Sequence, residues 1–250
     1  MADAQVLRVG ENDFLLLSEH TSVDGLRQRL EPYVIADDVI LADEGVNRAA
    51  LAIWGDGGGD LAARLVGSAP AAGSFGRHGE CLLFGGRRTR GAGFEMVGPR
   101  DEIEKVCEHL ATTDGREVRR EEAEFLRITA GIPAIPRDIG PADLPNEGGL
   151  DTEAISYTKG CYLGQEVMSR LKNLGQIRRR LHVVCGTGSK PPERAALFQG
   201  DRKVGETRSV AGHGEEFAAL AMLSLPLLDP GRGLSLAPAA TENLHLRTDG

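Results

Sequence analysis

The chain has 250 residues, of which 41% are hydrophobic and 26% are charged, so it can bury a substantial core in one or two domains. Its formal net charge of −8 argues against a large nucleic-acid-binding surface, which would need clustered Lys and Arg. No run is apolar enough to span a bilayer, and the first residues lack the basic and apolar regions of a signal peptide. We therefore expect a cytoplasmic protein with no membrane contact and no direct nucleic-acid partner.

The first half of the chain predicts short strands and amphipathic helices. Apolar runs at 6–9 and 14–18 flank a turn and predict a hairpin, after which Ser22 can cap a helix. Further strands are predicted at 39–42, 49–54, 81–84 and 94–97, and helices at 60–66, 101–112 and 121–130. Repeated strand–strand–helix order favours α+β, ferredoxin-like modules over a doubly wound sheet.

The second half changes its pattern twice. A proline-dotted connection at 132–150 is long enough to be functional or disordered. From Leu181 onwards, short apolar runs separated by Gly, Pro and charged turns predict a small antiparallel β-barrel. We therefore predict an α+β domain at 1–180 and a C-terminal barrel domain at 181–250.

The four cysteines contain no Cys-x-x-Cys pair and no partner at zinc spacing, so we predict no metal site. Cys81, Cys107 and Cys185 lie in apolar runs and are expected to be buried. Cys161 differs, because it precedes a predicted helix whose apolar stripe is Leu163, Val167, Leu171 and Leu174. A helix N-terminus and the nearby Lys159 would both favour a reactive thiolate. From spacing alone, a buried and inert thiol is an equally good interpretation.

The segment from Lys159 to Glu166 reads Lys-Gly-Cys-Tyr-Leu-Gly-Gln-Glu. It resembles the signature of the YgfZ family at every fixed position. The segments 127–133 and 179–181 also look like their counterparts in that family. The resemblance implies the fold of the glycine cleavage T-protein, with ferredoxin-like modules around a folate cavity and a C-terminal β-barrel.

The same resemblance implies site residues. Cys161 would be the reactive centre and Lys159 would tune it. Tetrahydrofolate or a derivative would be the ligand, contacted by residues of the motif and of the upstream helix, which are Gly160, Tyr162, Gly164, Gln165, Glu166, Arg127, Thr129 and Arg170. Thr129 stands where the family usually has Glu, so a charge-assisted acceptor for the pterin is missing. The chain also begins at what resembles an internal strand of the family, so the opening segment of the relatives is absent. Either this is a short version, or the start is misassigned, or another chain completes the sheet.

Three functions follow from the resemblance. The first is a folate-binding accessory protein for assembly or repair of iron–sulfur clusters, which would affect tRNA modification indirectly and would contact iron–sulfur proteins or their assembly machinery. The second is a tetrahydrofolate-dependent aminomethyltransferase, against which the cysteine motif argues. The third is a ligand-free scaffold of the same fold. An accessory role is favoured over turnover catalysis.

Overall fold

The computed structural model describes residues 2–35, 38–88, 93–112, 115–175 and 177–247, without the side chains of 170–174. The chain forms two compact units. One comprises Met1–Leu26 with Pro133–Gly250, and the other is Arg27–Ile132. No helix in the described ranges is both long and apolar enough to cross a membrane. The boundary near residue 181 stays a prediction; the last sheet begins at Arg179.

The chain opens with the predicted hairpin and helix. Strands β1 (Gln5–Arg8) and β2 (Phe14–Leu17) pair antiparallel. Helix α1 (Val23–Leu30) follows, and the hydroxyl of Ser22 accepts a hydrogen bond from the backbone N–H of Gly25 at 3.2 Å. Both predictions are confirmed, because turn and capping residues act on neighbours only a few positions away.

The second unit is a four-stranded antiparallel sheet with helices. In chain order its elements are β3 (Arg48–Trp54), α2 (Gly58–Val66), β4 (Phe75–His78), β5 (Cys81–Gly85), β6 (Gly93–Pro99), α3 (Arg100–Ala111) and α4 (Arg120–Thr129), and the strand order is β3-β6-β5-β4. The α+β class is confirmed. The predicted strand at 39–42 is wrong, since this stretch is irregular and Val39 and Ile40 are exposed.

The core of this sheet explains which cysteines are buried. Ile103 and Val106 of α3 pack with Cys81 and the strands. Cys107 is exposed, so its predicted burial is wrong; it lies one position beside the inward stripe that Ile103 and Val106 begin. Burial and a hydrogen bond to Glu102 raise the pKa of Cys81 to about 11, which makes that thiol unreactive.

The C-terminal sheet belongs to the first unit. Its strands β7 (Arg179–Thr187), β8 (Ala196–Gln199), β9 (Arg202–His213), β10 (Glu216–Ser224) and β11 (His245–Leu246) run antiparallel in the order β11-β7-β10-β9-β8. The predicted antiparallel β architecture is confirmed. Leu234 and Ser235 form isolated bridges, with Leu244 and Phe198, rather than a continuous strand. Gly205 is required where β9 meets β10, because a Cβ there would lie 2.3 Å from the Met222 carbonyl oxygen.

The proline-dotted connection is packed rather than disordered. Ile135, Ile139 and Leu150 join a buried cluster with Met222 of β10. Asp138 is completely buried, and its carboxylate accepts hydrogen bonds from the backbone N–H groups of Ala134 and Ser209, both at 2.8 Å. This carboxylate therefore ties the connection to β9.

We expect Asp138→Ala to destabilise the protein strongly. The substitution would leave two buried N–H groups without their charged acceptor, at a cost of about 3–5 kcal/mol in the free energy of unfolding. Urea unfolding measures this cost. Asp201→Ala, in the exposed turn between β8 and β9, is the control and should change the free energy by less than about 0.5 kcal/mol. Equal effects of the two substitutions would contradict the structural role of Asp138.

Candidate functional site

The motif Lys159–Glu166 lies in the first unit, on a loop that leads into helix α5 (Gln165–Leu174). The Cys161 side chain is exposed. It precedes the first helical residue by four positions, so the helix N-terminus comes later in the chain than the apolar spacing predicted. Within the described residues, no group of three or more His, Cys, Asp or Glu could hold a metal ion.

Two glycines shape this loop. Gly164 has φ of +88°, a conformation that L side chains rarely adopt, and it comes immediately before α5. Its carbonyl accepts the hydrogen bond of the Met168 N–H at 3.2 Å, which starts the helix. A Cβ added at Gly160 or Gly164 would meet no atom within 4 Å. The backbone at both glycines is therefore open to an incoming molecule.

Lys159 and Tyr162 contact each other beside Cys161. The Lys159 ammonium lies 4.7 Å from the centroid of the Tyr162 ring, in a cation–π contact. The Tyr162 hydroxyl is buried and has no hydrogen-bond partner in the part of the chain that the structure describes. The backbone N–H of Lys159 donates to the Ser156 hydroxyl at 3.2 Å. The motif thus holds its cation on an aromatic ring whose hydroxyl is buried.

The predicted apolar stripe of α5 is partly wrong. Leu163 is 76% exposed and Val167 is 49% exposed, whereas Met168 is buried. Leu163 lies before the helix begins, which removes it from the helical face assumed in the prediction. The side chains of Leu171 and Leu174 lie outside the described residues. The motif and the residue that follows it therefore present a thiol and two aliphatic side chains to solvent.

Three other predicted contact residues lie on α5. Glu166 is exposed and Gln165 is half-buried, both in its first turn. The Arg170 side chain lies outside the described residues, so its predicted ligand contact stays a prediction. The motif residues with described side chains are adjacent in the chain and lie in one unit.

Arg127 and Thr129 lie in the second unit, on α4, where both serve local structure. The guanidinium of Arg127 is buried and donates to Glu124 at 2.8 and 2.7 Å and to the carbonyl of Ile132. The Thr129 hydroxyl donates to the carbonyl of Leu126 at 3.0 Å. The donor-rich edge of a pterin needs an acceptor, and the carboxylate of Glu124 is already engaged. This end of α4 therefore fits a pterin less well than the family residues would.

Sequence reasoning missed an arginine–carboxylate cluster formed by Asp143, Glu147, Arg179 and Arg208, in which Arg179 is 43% exposed and the other three side chains are buried. The two carboxylates come from the proline-dotted connection, and the two arginines come from β7 and β9. A charged residue without local partners gives no sequence signal for burial. Only the fold brings these four side chains together.

The backbone resembles a solved structure of known class. The crystal structure of glycine cleavage system aminomethyltransferase T from Bartonella henselae matches with a TM-score of 0.75 at 19% identity. The match covers 94% of this chain and 67% of that one. The chain therefore has the fold of the glycine cleavage T-protein, as the motif resemblance predicted.

Proteins of similar sequence show which members of this fold class the chain resembles. The tRNA-modifying protein YgfZ of Sodalis glossinidius is 38% identical over 68 residues, which are 27% of this chain and 21% of that protein. Human mitochondrial iron–sulfur cluster assembly factor IBA57 is 37% identical over 94 residues, which are 35% of this chain and 26% of that protein. A chloroplastic transferase-like protein of Arabidopsis thaliana is 29% identical over 212 residues, which are 81% of this chain and 48% of that protein.

Over parts of its length the chain is therefore similar to YgfZ and to IBA57. The aligned part covers at most about half the length of the three relatives. No protein-family profile matches the chain. Within the T-protein fold class, this protein is a relative of YgfZ and IBA57, and the resemblance first seen at Lys159–Glu166 is confirmed.

Proposed function

We propose that this protein is an accessory factor that supports the assembly or repair of iron–sulfur clusters and thereby affects tRNA modification by cluster-dependent enzymes. The observation that carries the proposal is the exposed Cys161 within the Lys159–Glu166 motif. Relatives named for iron–sulfur cluster assembly and for tRNA modification support it. One motif cysteine is too few to ligate a cluster by itself, so the role is toward clusters held by other proteins.

The proposed partners are iron–sulfur proteins or their assembly machinery, and they would bind at the motif surface, defined here as Cys161, Leu163 and Val167. Both aliphatic side chains are exposed and lie within a few residues of Cys161 in the chain, and exposed apolar patches are typical of protein-binding surfaces. A partner protein would cover these aliphatic groups and bring its own groups to the thiol. The predicted cytoplasmic location stays a prediction, since two of the relatives are named as mitochondrial and chloroplastic.

Tetrahydrofolate or a derivative is the proposed ligand. The open backbone at Gly160 and Gly164 supports binding at the motif. Calorimetry with tetrahydrofolate and 5-formyltetrahydrofolate tests this part of the proposal. We expect a heat of binding with a dissociation constant in the micromolar range. Absence of heat at millimolar ligand would favour the ligand-free scaffold instead.

A second candidate is a tetrahydrofolate-dependent aminomethyltransferase, which the fold match to aminomethyltransferase T favours. The two candidates differ in one assay. The purified protein is incubated with tetrahydrofolate and a glycine-derived aminomethyl donor, and release of ammonia or formaldehyde is followed. An accessory factor gives no turnover, whereas repeated turnover would replace the first candidate with the second.

The accessory function is tested by complementation. A strain that lacks its own protein of this type is supplied with this chain, and the activities of several iron–sulfur enzymes are measured against enzymes without clusters. Recovery limited to the cluster enzymes is the expected result. Failure to restore any cluster enzyme, with the protein present and folded, would overturn the proposal.

In the same strain, we expect Leu163→Asp to lower cluster-enzyme activity about tenfold, because a charge would prevent burial of this aliphatic side chain against a partner. Val46→Asp is the control, since Val46 is 79% exposed but lies in the other unit. It should leave activity unchanged. Equal losses in the two variants, or no loss in either, would exclude the motif surface as the binding site.

A further inference from the structure

The arginine–carboxylate cluster closes the segment that carries the motif. Glu147 stands immediately before residues 148–178, and Arg179 stands immediately after them. The bond between these two side chains joins positions 32 residues apart. Every part of the motif, and all of α5, lies inside this closed segment.

The closing contact has the geometry of a strong ion pair. The Nε of Arg179 donates to Oε1 of Glu147 at 2.9 Å, and its Nη2 donates to Oε2 at 2.9 Å. Such a two-pronged arrangement fixes orientation as well as distance. The hydrogen bond to Glu147 raises the pKa of Arg179 further above its ordinary value. The Glu147 side chain is only 7% exposed, whereas that of Arg179 is 43% exposed, so water reaches the pair from the side of the arginine.

Asp143 connects this contact to the sheet. Its Oδ1 accepts from Nη2 of Arg179 at 3.3 Å and from Nη2 of Arg208 at 3.4 Å. Arg208 belongs to β9 and is buried, as is Asp143. The other oxygen of Asp143 accepts from the backbone N–H of Gly140, and Oε2 of Glu147 accepts from that of Leu144. Each carboxylate therefore accepts a hydrogen bond from a backbone N–H three residues earlier in the chain, as well as from arginine.

The motif loop itself is loosely packed within the described part of the chain. Lys159, Gly160 and Cys161 are exposed, and a Cβ placed at either motif glycine would have no neighbour within 4 Å. Holding the two ends of such a loop together removes part of its conformational entropy, by an amount that grows only slowly with its length.

We propose that Glu147 and Arg179 are positioning residues that clamp the ends of the motif segment and thereby set the conformation in which Cys161 is presented. Asp143 and Arg208 hold the clamp on β9. The clamp acts on the loop geometry itself, so it stands whether the bound partner is a folate or an iron–sulfur protein. The clamp proposal rests on the proposed function, in which Cys161 is the reactive group. It adds to that function by assigning residues outside the motif to the positioning of the thiol.

Hydrogen–deuterium exchange of the whole purified chain, read by mass spectrometry, tests the clamp. In Glu147→Gln and in Arg179→Gln, we expect amides at 154–168 to exchange about tenfold faster, while amides of β9 and β10 keep their rates. Glu193→Gln is the control; it breaks the exposed Arg137–Glu193 pair in the same unit and should not change exchange at the motif.

The double variant Glu147→Gln with Arg179→Gln supplies the decisive comparison. If the two side chains act as one clamp, the double variant exchanges at the motif no faster than either single variant. Independent contributions would multiply, which would overturn the proposal. Unchanged exchange at the motif in both single variants would overturn it as well. If exchange rates rose equally at the motif and in β9 and β10, the variants would be generally destabilised, and this result would also overturn the proposal. In that case Arg179→Lys, which keeps the charge, would show the same general increase in exchange rate.

This measurement needs neither folate nor a client enzyme. Failure of the clamp therefore leaves the complementation result untouched, and failure of complementation leaves the exchange result untouched. As a second measurement, the alkylation rate of Cys161 is compared with that of the exposed Cys107 in each variant. We expect the ratio of the two rates to change in the clamp variants and to stay constant in Glu193→Gln.

Discussion

Cys161→Ala should abolish the recovery of iron–sulfur enzymes while leaving the fold intact. The thiol is the strongest nucleophile in the motif, and its thiolate is the reactive form. Its side chain is exposed, so its removal should change the free energy of unfolding by less than about 0.5 kcal/mol. Complementation of the deletion strain, together with urea unfolding of the purified variant, checks both halves of this expectation.

Cys107→Ala is the matched control for the thiol, because Cys107 is also exposed but lies on α3 in the other unit. It should restore cluster enzymes as well as the parent chain does. Cys161→Ser separates thiol chemistry from shape, since a hydroxyl has nearly the same size but no comparable nucleophilicity. Full recovery with either substitution at position 161 would show that the sulfur is not needed.

Thr129→Glu should raise the affinity for tetrahydrofolate about 10- to 100-fold. The family resemblance implies that a carboxylate at this position accepts hydrogen bonds from the N–H groups of a pterin, and such a charge-assisted contact is worth about 1.5–3 kcal/mol. In the parent chain, the Thr129 hydroxyl donates its hydrogen bond to the carbonyl of Leu126. Calorimetric titration of parent and variant with the same tetrahydrofolate stock measures the gain.

Thr112→Glu is the control for the added charge. The Thr112 hydroxyl donates to the carbonyl of His109 at the end of α3, in the same local arrangement as Thr129 at the end of α4. The control should leave the dissociation constant unchanged. Equal affinities of parent and Thr129→Glu would indicate that position 129 does not contact the ligand.

Elements that depend on neighbouring residues were predictable from the sequence. The first hairpin, the Ser22 cap, α3 and the antiparallel β7–β10 region all follow from turn residues and from apolar periodicity. These signals act over two to seven positions. The motif at Lys159–Glu166 is equally local, and its resemblance to the YgfZ family agrees with relatives found over longer segments.

Predictions failed where burial decided the outcome. Periodicity suggested a strand at 39–42 and buried positions for Cys107, Leu163 and Val167, yet these residues face solvent because none of the described elements covers them. In the opposite direction, prolines at 132–150 suggested a loose connection, and the fold buries it through Asp138 and its apolar neighbours.

The Lys159–Glu166 motif, the α+β class and the antiparallel end of the chain were determined by the sequence alone, because each is written in residues close together. The tertiary structure decided that Cys161 is exposed and that the segment around it is closed by Glu147 and Arg179. It also decided that Asp143 meets Arg208, across 65 positions. Charged side chains carry no periodic signal of their own, so their partners and their burial are set only when distant strands and loops pack together.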